Sequence, residues 1–481
     1  MISTVNLKRD RCEFYLPIKK RYCSQKRLDD DKFCGVHADR SDERISCPID
    51  QSHEIWRKDL TSHTRKCNAT KDLAILHKLP YFSKGINSGS ITDEEKHHVD
   101  AFRLLVGMEK EEDVDKDYDD EEEEDGTIDV QISTTEKFDR RGGYITRLIH
   151  SPFLSSQVDI RSVYERLLSW ILVAESTFRG DLSVYDKLVA PNIEKYVNAS
   201  QKTGASIKGR LRQTLQEASI VSLMFLMGLL NTPDDSTFID LGAGKANLSL
   251  ALHHSVPNSK LLLVERQGGA SRGAADTSFR RVEFQNFTRL RIDLADFDLS
   301  KIGYCSGNVV GIGKHVCGNA TDLSLRCLEQ ALKMCKLSDV SLDASRKCFL
   351  KGICIATCCH HRCTWEDYVG KTFFKEKLGG SAVEFEVLRL LSSWALMGGE
   401  ERGSDFPKLV TYADIKKKSV EEWERSLSRK ERIQIGRAAK RVIDAGRVDF
   451  LETLGLNAKQ AFYCNQELSP ENSLIIGCKK G

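Results

Sequence analysis

The stretch from Phe238 to Ser249 reads FIDLGAGKANLS and decides the fold class of this chain. An apolar run, two closely spaced glycines and a helical pattern predict a strand, a tight turn and a helix. Gly242 and Gly244 have no Cβ, so the backbone can bend sharply there and approach a ligand closely. We therefore expect the first unit of a nucleotide-binding α/β sheet.

Strand-like runs continue outward from this turn and alternate with helical stretches. The runs are KLLLVE at 260–265, RLRIDL at 289–294, NVVGIGKH at 308–315 and GICIATCC at 352–359. This alternation predicts a doubly wound sheet. Residues 141–232 are expected to be helical, chiefly at 161–174, 193–199 and 207–230. Two further runs, 461–464 and 473–477, flank a polar turn and predict a closing hairpin.

The ligand of the glycine turn is predicted from the residues at the strand ends. The third glycine of the dinucleotide fingerprint G-x-G-x-x-G is replaced by Asn247. An adenosyl cofactor such as S-adenosylmethionine carries no pyrophosphate and fits the shorter turn better. Asp240 can meet a cationic group, Glu265 can accept hydrogen bonds from ribose hydroxyls, and Asp293 is a candidate partner for the adenine end. The alternative is an α/β domain with a coincidental turn.

Ionisable residues gather after the fourth and fifth strands, at the edge where open α/β sheets bind ligands. Lys314 and His315 follow the fourth strand, and CCHHRC at 358–363 follows the fifth. Methyl transfer to oxygen needs alignment and loss of the acceptor proton. Lys314 with a lowered pKa, or neutral His315 or His360, could take that proton; alternatively one of them caps a helix or contacts a phosphate. The 358–363 cluster could shape the substrate pocket, bind a metal, pack in the core, or supply a nucleophile for carbon methylation.

Two sets of cysteines and histidines near the start of the chain predict zinc. Four such ligands close the tetrahedral site that structural zinc prefers. Modules this short cannot fold on core burial alone, so the metal would supply the folding energy. The alternative is free thiols with surface histidines. The first set is Cys12, Cys23, Cys34 and His37, and the second is Cys47, His53, His63 and Cys67.

Composition limits the class of protein. None of the 16 cysteines lies between Cys67 and Cys305, and the chain opens without an apolar leader. We therefore expect residence in the reducing cytoplasm or nucleus and no secretion. The longest apolar run, 220–230, is too short to span a membrane. The net charge of +2 hides an acidic run at 109–125 and basic stretches elsewhere, including a helical stretch at 420–446 that suits either phosphates or solvent.

These motifs together resemble those of the eukaryotic tRNA 2′-O-ribose methyltransferases that act on nucleotide 4 of the acceptor stem. The resemblance rests on the cysteine and histidine sets, the 242–245 glycine turn, Val264-Glu265, GIGKHVCG at 311–318, CCHHRC at 358–363 and SSWA at 392–395. It implies an S-adenosylmethionine-dependent enzyme that methylates the ribose 2′-hydroxyl of cytidine or adenosine at position 4 of certain tRNAs.

The predicted organisation follows from the same observations. We expect a CCCH-type zinc module at 1–42, a CHHC-type zinc finger at 43–75, a linker at 76–140 and a class I (Rossmann-like) methyltransferase domain at 141–481. The expected partner is the tRNA acceptor stem, without a membrane. Two alternatives stay open, a zinc-dependent RNA-binding protein with an inactive methyltransferase fold and a tRNA base methyltransferase.

Overall fold

A computed structural model gives the fold of the chain, which divides into two compact units, Met1–Lys78 and Leu79–Gly481. The structure describes residues 10–16, 21–29, 31–35, 37, 44–48, 54–67, 75–105, 166–167, 169–171, 173–174, 187–201, 207–230, 236–266, 279, 284, 286–302, 307–337, 348–396 and 427–479.

The first unit consists of two small hairpins and a helix. Strands β1 (Tyr15–Leu16) and β2 (Arg21–Tyr22) pair antiparallel, as do β3 (Arg44–Ser46) and β4 (Glu54–Trp56). A 3₁₀ turn and helix α1 (Leu60–Lys66) follow β4. In the described part of each half, the buried cluster consists mostly of cysteines, with only one to three other apolar side chains packed with them. Such small cores agree with modules that depend on a metal for their stability.

The second unit is built on a seven-stranded sheet. Its strands are β5 (Thr237–Leu241), β6 (Lys260–Glu265), β7 (Phe287–Arg291), β8 (Gly307–Cys317), β9 (Cys348–Cys358), β10 (Leu456–Phe462) and β11 (Ser473–Lys479). The order across the sheet is β10-β11-β9-β8-β5-β6-β7. β11 runs antiparallel to both of its neighbours, β9 and β10, and the other four strand pairs are parallel. The sheet order reverses between β5 and β8, which places the ligand crevice at the carboxyl ends of these strands. The predicted class I methyltransferase sheet and its closing hairpin are confirmed.

Helices cover this sheet. They are α2 (Asp93–Leu105), α3 (Ile193–Gln201), α4 (Ile207–Leu226), α5 (Asn247–Ser255), α6 (Asn319–Leu337), α7 (Ala382–Ser392) and α8 (Arg429–Thr453). Capping boxes at Ser381 and Ser428 start α7 and α8, because each serine hydroxyl accepts from the backbone N–H three residues on. One apolar cluster joins α3, α4 and α5 to alternate strand residues, and another joins α2, α7 and α8.

Some sequence expectations differ from the structure. Strand β7 ends at Arg291, so Asp293 is not a strand residue; it caps the 3₁₀ turn Leu294–Asp296. The basic helix begins at Arg429, and much of it is core, with Lys440 only 4% exposed. The acidic run 109–125, residues 420–426 and parts of 161–174 lie outside the described residues. None of the described helices has the length and apolar character of a membrane span.

Candidate active site and zinc centres

The glycine turn after β5 leaves room for a ligand. Gly242 and Gly244 have φ angles of +77° and +48°, and a Cβ built on either would meet nothing within 4 Å. The Gly244 N–H donates to Glu265 Oε2 over 2.8 Å, so the carboxylate at the end of β6 holds the turn. Ala246, also at positive φ, starts helix α5. This open turn fits the adenosyl cofactor that the sequence predicts.

The two predicted aspartates have local structural partners. Asp240 is 2% exposed and accepts a 2.6 Å hydrogen bond from the Ser249 hydroxyl on α5. Burial raises the pKa of Asp240 to about 6, against the lowering effect of Ser249. Asp293 accepts from the Ala295 N–H and lies 3.6 Å from Arg266. Its side chain is 34% exposed, so it can still receive a ligand group.

Lys314 belongs to a buried polar group at the crevice. Its Nζ donates to Glu217 Oε1 over 3.0 Å, and the Tyr196 hydroxyl donates to Glu217 Oε2 over 2.5 Å. Glu217 comes from α4 and Tyr196 from α3, so two helices fix the lysine that emerges from β8. Burial, followed by the Glu217 charge, raises the pKa of Tyr196 well above its usual value. Tyr196 therefore remains a neutral donor.

His315 is exposed because β8 contains a bulge. The pairing between β8 and β9 shifts register between Lys314 and Val316. His315 occupies the shift with φ +58°, a left-handed conformation that non-glycine residues rarely adopt. Such strain persists where the surrounding structure enforces it, often at functional sites. The bulge presents an imidazole to solvent beside Lys314.

Three cysteines meet at the ends of β8 and β9. The sulfur atoms of Cys317, Cys358 and Cys359 all lie within 4.8 Å of one another, and those of Cys317 and Cys358 are 2.9 Å apart. Hydrogen bonds from Cys317 and Cys358 lower the pKa of the Cys359 thiol far below its usual value. Contacts with Cys317 and Cys359, together with burial, raise the pKa of Cys358. The three cysteines therefore favour a state in which one sulfur is a thiolate that accepts hydrogen bonds from the other two thiols.

His360 lies in a buried ionic network. It is 0% exposed, and its Nε2 is 2.9 Å from Asp444 Oδ2. Arg447 donates to Asp444 over 2.9 Å, to Asp322 over 2.6 Å and to the sulfur of Cys363 over 2.9 Å. This network joins α6, α8 and the loop after β9. Its burial argues against direct contact between His360 and a substrate.

The first cysteine and histidine set comes together as the sequence predicts. His37 Nδ1 lies 3.4 Å from the sulfurs of both Cys12 and Cys34, and the sulfurs of Cys23 and Cys34 are 4.0 Å apart. A tetrahedral zinc with roughly 2.3 Å Zn–S bonds has S···S edges of about 3.8 Å. The donor set therefore fits zinc. Phe14 stacks on the His37 ring at 4.1 Å.

The structure describes three of the four residues in the second cysteine and histidine set. The sulfurs of Cys47 and Cys67 are 4.0 Å apart, and His63 Nε2 lies 3.2 Å from the Cys47 sulfur. Helix α1 carries His63, and Cys67 caps its C-terminus. The fourth predicted ligand, His53, lies outside the described residues. These three ligands also have the spacing of a zinc site.

Family comparisons agree with this architecture. The methyltransferase family described as Methyltransferase TRM13 matches residues 215–478, more than half of the chain. The chain belongs to the TRM13 methyltransferase family. The CCCH zinc finger of that family matches residues 10–38, and a U11-48K-like CHHC zinc finger matches residues 44–68. The predicted family and cofactors, S-adenosylmethionine and zinc, are confirmed.

Relatives of the TRM13 family are similar along nearly the whole chain. The chain is 26% identical to the tRNA:m(4)X modification enzyme TRM13 of Vanderwaltozyma polyspora, covering 98% of both chains. It is 27% identical to the homologs of Mus musculus and Homo sapiens, covering 97% of this chain and 93% and 94% of theirs. A solved coclaurine N-methyltransferase is matched weakly, at 12% identity over 80% of this chain and all of that one, with a TM-score of 0.24. The fold assignment therefore rests on the sheet order.

Several residues of this TRM13-family site were not singled out from the sequence. They are Tyr196, Glu217, Asp322, Asp444 and Arg447. A buried charge inside the apolar pattern of α4 is a signal for Glu217, because charged residues are rarely buried without a partner. Asp444 and Arg447 lie three residues apart on α8, and this spacing is a sequence signal that their side chains pair. The partners on other elements have no signal in the local sequence.

Proposed function

We propose that this chain transfers a methyl group from S-adenosylmethionine to a ribose 2′-hydroxyl at nucleotide 4 of the tRNA acceptor stem. The observation that carries the proposal is the open glycine turn beside an exposed His315 in a TRM13-family chain. Three relatives are named tRNA:m(4)X modification enzymes, which supports tRNA as the substrate class. Cytoplasmic or nuclear residence is part of the proposal.

The cofactor residues have distinct proposed roles. Gly242 and Gly244 let the backbone approach the cofactor, and Glu265 holds the turn while offering carboxylate oxygens to ribose hydroxyls. We assign Asp293, whose side chain is partly exposed, to the adenine end of the cofactor. Asp240 is too buried to contact the cofactor at the surface of the crevice. We propose that it supports the cofactor site indirectly, by accepting the hydrogen bond from Ser249. S-adenosylmethionine, when bound, supplies an electrophilic methyl group.

The acceptor hydroxyl needs alignment and a proton acceptor. We assign the role of proton acceptor to His315. Its imidazole takes the proton of the 2′-hydroxyl as the new O–C bond forms and the S–C bond of the cofactor breaks. Lys314, fixed by Glu217 and Tyr196, orients the acceptor oxygen as a hydrogen-bond donor. His360 is not retained as a proton acceptor because it is fully buried against Asp444.

The test is methyl transfer from labelled S-adenosylmethionine to bulk eukaryotic tRNA. Nuclease digestion and mass spectrometry should find a 2′-O-methylated, cleavage-resistant dinucleotide at position 4. His315→Ala should lower the rate roughly 10²–10⁴-fold without reducing cofactor binding, whereas the exposed His98→Ala on α2 is the matched control. A methylated base as product would instead favour the base methyltransferase, and absence of cofactor binding would favour the zinc-dependent RNA-binding protein.

A further inference from the structure

The cluster of Cys317, Cys358 and Cys359 is not used by the proposed methyl transfer. It lies at the carboxyl ends of β8 and β9, near His315. Its three sulfurs meet the same distance limit as the sulfurs and nitrogens of the two zinc modules. Cys358 is buried, while Cys317 and Cys359 are partly exposed. A small ion could therefore reach the group from solvent.

Two backbone irregularities bring these sulfurs together. Beyond the bulge at His315, the register places Cys317 opposite Cys358 on the neighbouring parallel strand. Successive residues of a strand point to opposite faces, so Cys358 and Cys359 would normally diverge. Cys359 instead leaves the strand with φ +47°. The four non-glycine residues with positive φ in the described part of the chain include both His315 and Cys359.

We propose that Cys317, Cys358 and Cys359 form a third metal site, which binds a thiophilic divalent cation such as zinc. Three cysteine sulfurs are a donor set that zinc prefers, and three protein ligands leave one coordination position open. Within the described residues no fourth cysteine, histidine or carboxylate meets the same distance limit, which leaves that position to water or a substrate atom. The bound ion would tie the ends of β8 and β9 together.

The distances limit the geometry of binding. A zinc ion with bonds of roughly 2.3 Å needs S···S edges of about 3.8 Å. The sulfurs of Cys317 and Cys358 are 2.9 Å apart, so they must separate when the ion binds. In the zinc modules the corresponding S···S distances are already 4.0 Å.

A disulfide between Cys317 and Cys358 is the rival explanation of their short contact. Formation of a disulfide would release two protons and two electrons to an oxidant and would use only two of the three sulfurs. A disulfide would therefore not explain the strained backbone of Cys359. A metal uses all three sulfurs and suits the reducing compartment expected for this chain. The observations therefore favour the metal.

The test measures how many zinc ions the full chain holds. The protein is purified in the presence of a reductant, and its zinc content is measured by inductively coupled plasma mass spectrometry. Wild type should hold one zinc ion more than the two modules account for. Cys317→Ser and Cys359→Ser should each lose one ion, while Cys478→Ser, a partly exposed cysteine outside the cluster, should lose none. Cobalt substitution should show a thiolate-to-cobalt absorption that decreases in the two cluster variants, and circular dichroism confirms that they fold.

Equal zinc content in wild type and a folded Cys317→Ser variant would overturn the proposal. A Cys317–Cys358 linked peptide in the reduced preparation would also overturn it, in favour of the disulfide. These measurements do not involve methyl transfer, so the metal site and the proposed function can fail separately.

Discussion

Lys314 donates to the carboxylate of Glu217 over 3.0 Å, although 97 positions separate the two residues. Their side chains are 9% and 4% exposed, so each charge depends on the other for its compensation. Glu217→Gln should therefore lower the free energy of unfolding by about 3 kcal/mol, because it leaves a buried ammonium without a counter-charge. Denaturant unfolding measures this loss, and the exposed Glu194→Gln on α3 is the matched control.

The double variant Glu217→Gln/Lys314→Met separates stability from activity. It removes both charges, so it should recover most of the lost stability. It should not recover methyl transfer if Lys314 orients the acceptor. Full activity in a stable double variant would contradict the proposed role of Lys314.

Asp240→Asn should stabilise the cofactor-free chain at neutral pH. Burial raises the folded pKa of Asp240 to about 6, against an ordinary value near 3.9. The folded state therefore holds a proton more tightly than the unfolded state, and wild type loses stability as the pH rises from about 4 to 6. The variant lacks this loss, so its advantage should be near zero at pH 4 and about 1–3 kcal/mol above pH 6. Denaturant unfolding across that pH range measures the difference in the free energy of unfolding between the variant and wild type. A difference that is the same at every pH would contradict the raised pKa of Asp240.

Asp444→Asn should destabilise the methyltransferase domain by about 3 kcal/mol at pH 7. Burial alone would raise the pKa of Asp444, but His360 and Arg447 outweigh it and lower the pKa to about 2. The contribution of the charged carboxylate is therefore present above its unfolded pKa near 4 and disappears as the pH falls towards 2. The gap between wild type and variant should narrow over that window.

The comparison for Asp444→Asn is Glu452→Gln, an exposed carboxylate on the same helix. Thermal unfolding followed by tryptophan fluorescence should show almost no change for this control. An Asp444→Asn variant as stable as wild type at pH 7 would mean that the network around Arg447 contributes nothing net.

Cys34→Ser should remove the zinc ion of the first module. Residues 10–37 should then lose protection in hydrogen exchange, because the metal supplies most of the folding energy of so small a core. Ser24→Ala in the same module should retain both metal and protection. Stabilisation of the other unit by S-adenosylmethionine should be unchanged, since the two units are separately compact. Retained zinc in Cys34→Ser would rule out this ligand set.

The sequence predicted those features that depend on local patterns. The glycine turn, the five parallel strands and the first ligand set were all recognisable from spacing and strand-like runs. The partners of Lys314 and Arg447 were not, because the pairing of distant charges is decided by tertiary packing. The position of His360 directly after a strand suggested an accessible group, yet it points into the core. Likewise, the basic pattern of α8 suggested a face turned towards phosphates or solvent, but Lys440 is buried and paired with Glu471.

The place of β11 in the sheet has a consequence for how the chain acquires its structure. β9 pairs with β11, which comes after β10 in the chain but lies between β9 and β10. Until β11 is synthesised, one side of β9, with its run of Ile353, Cys354 and Ile355, has no neighbour. Unpaired apolar strand edges are sites of aggregation, and distant pairings form slowly. Nascent chains of this protein are therefore most vulnerable, and most in need of chaperones, in the interval between the synthesis of β9 and that of β11.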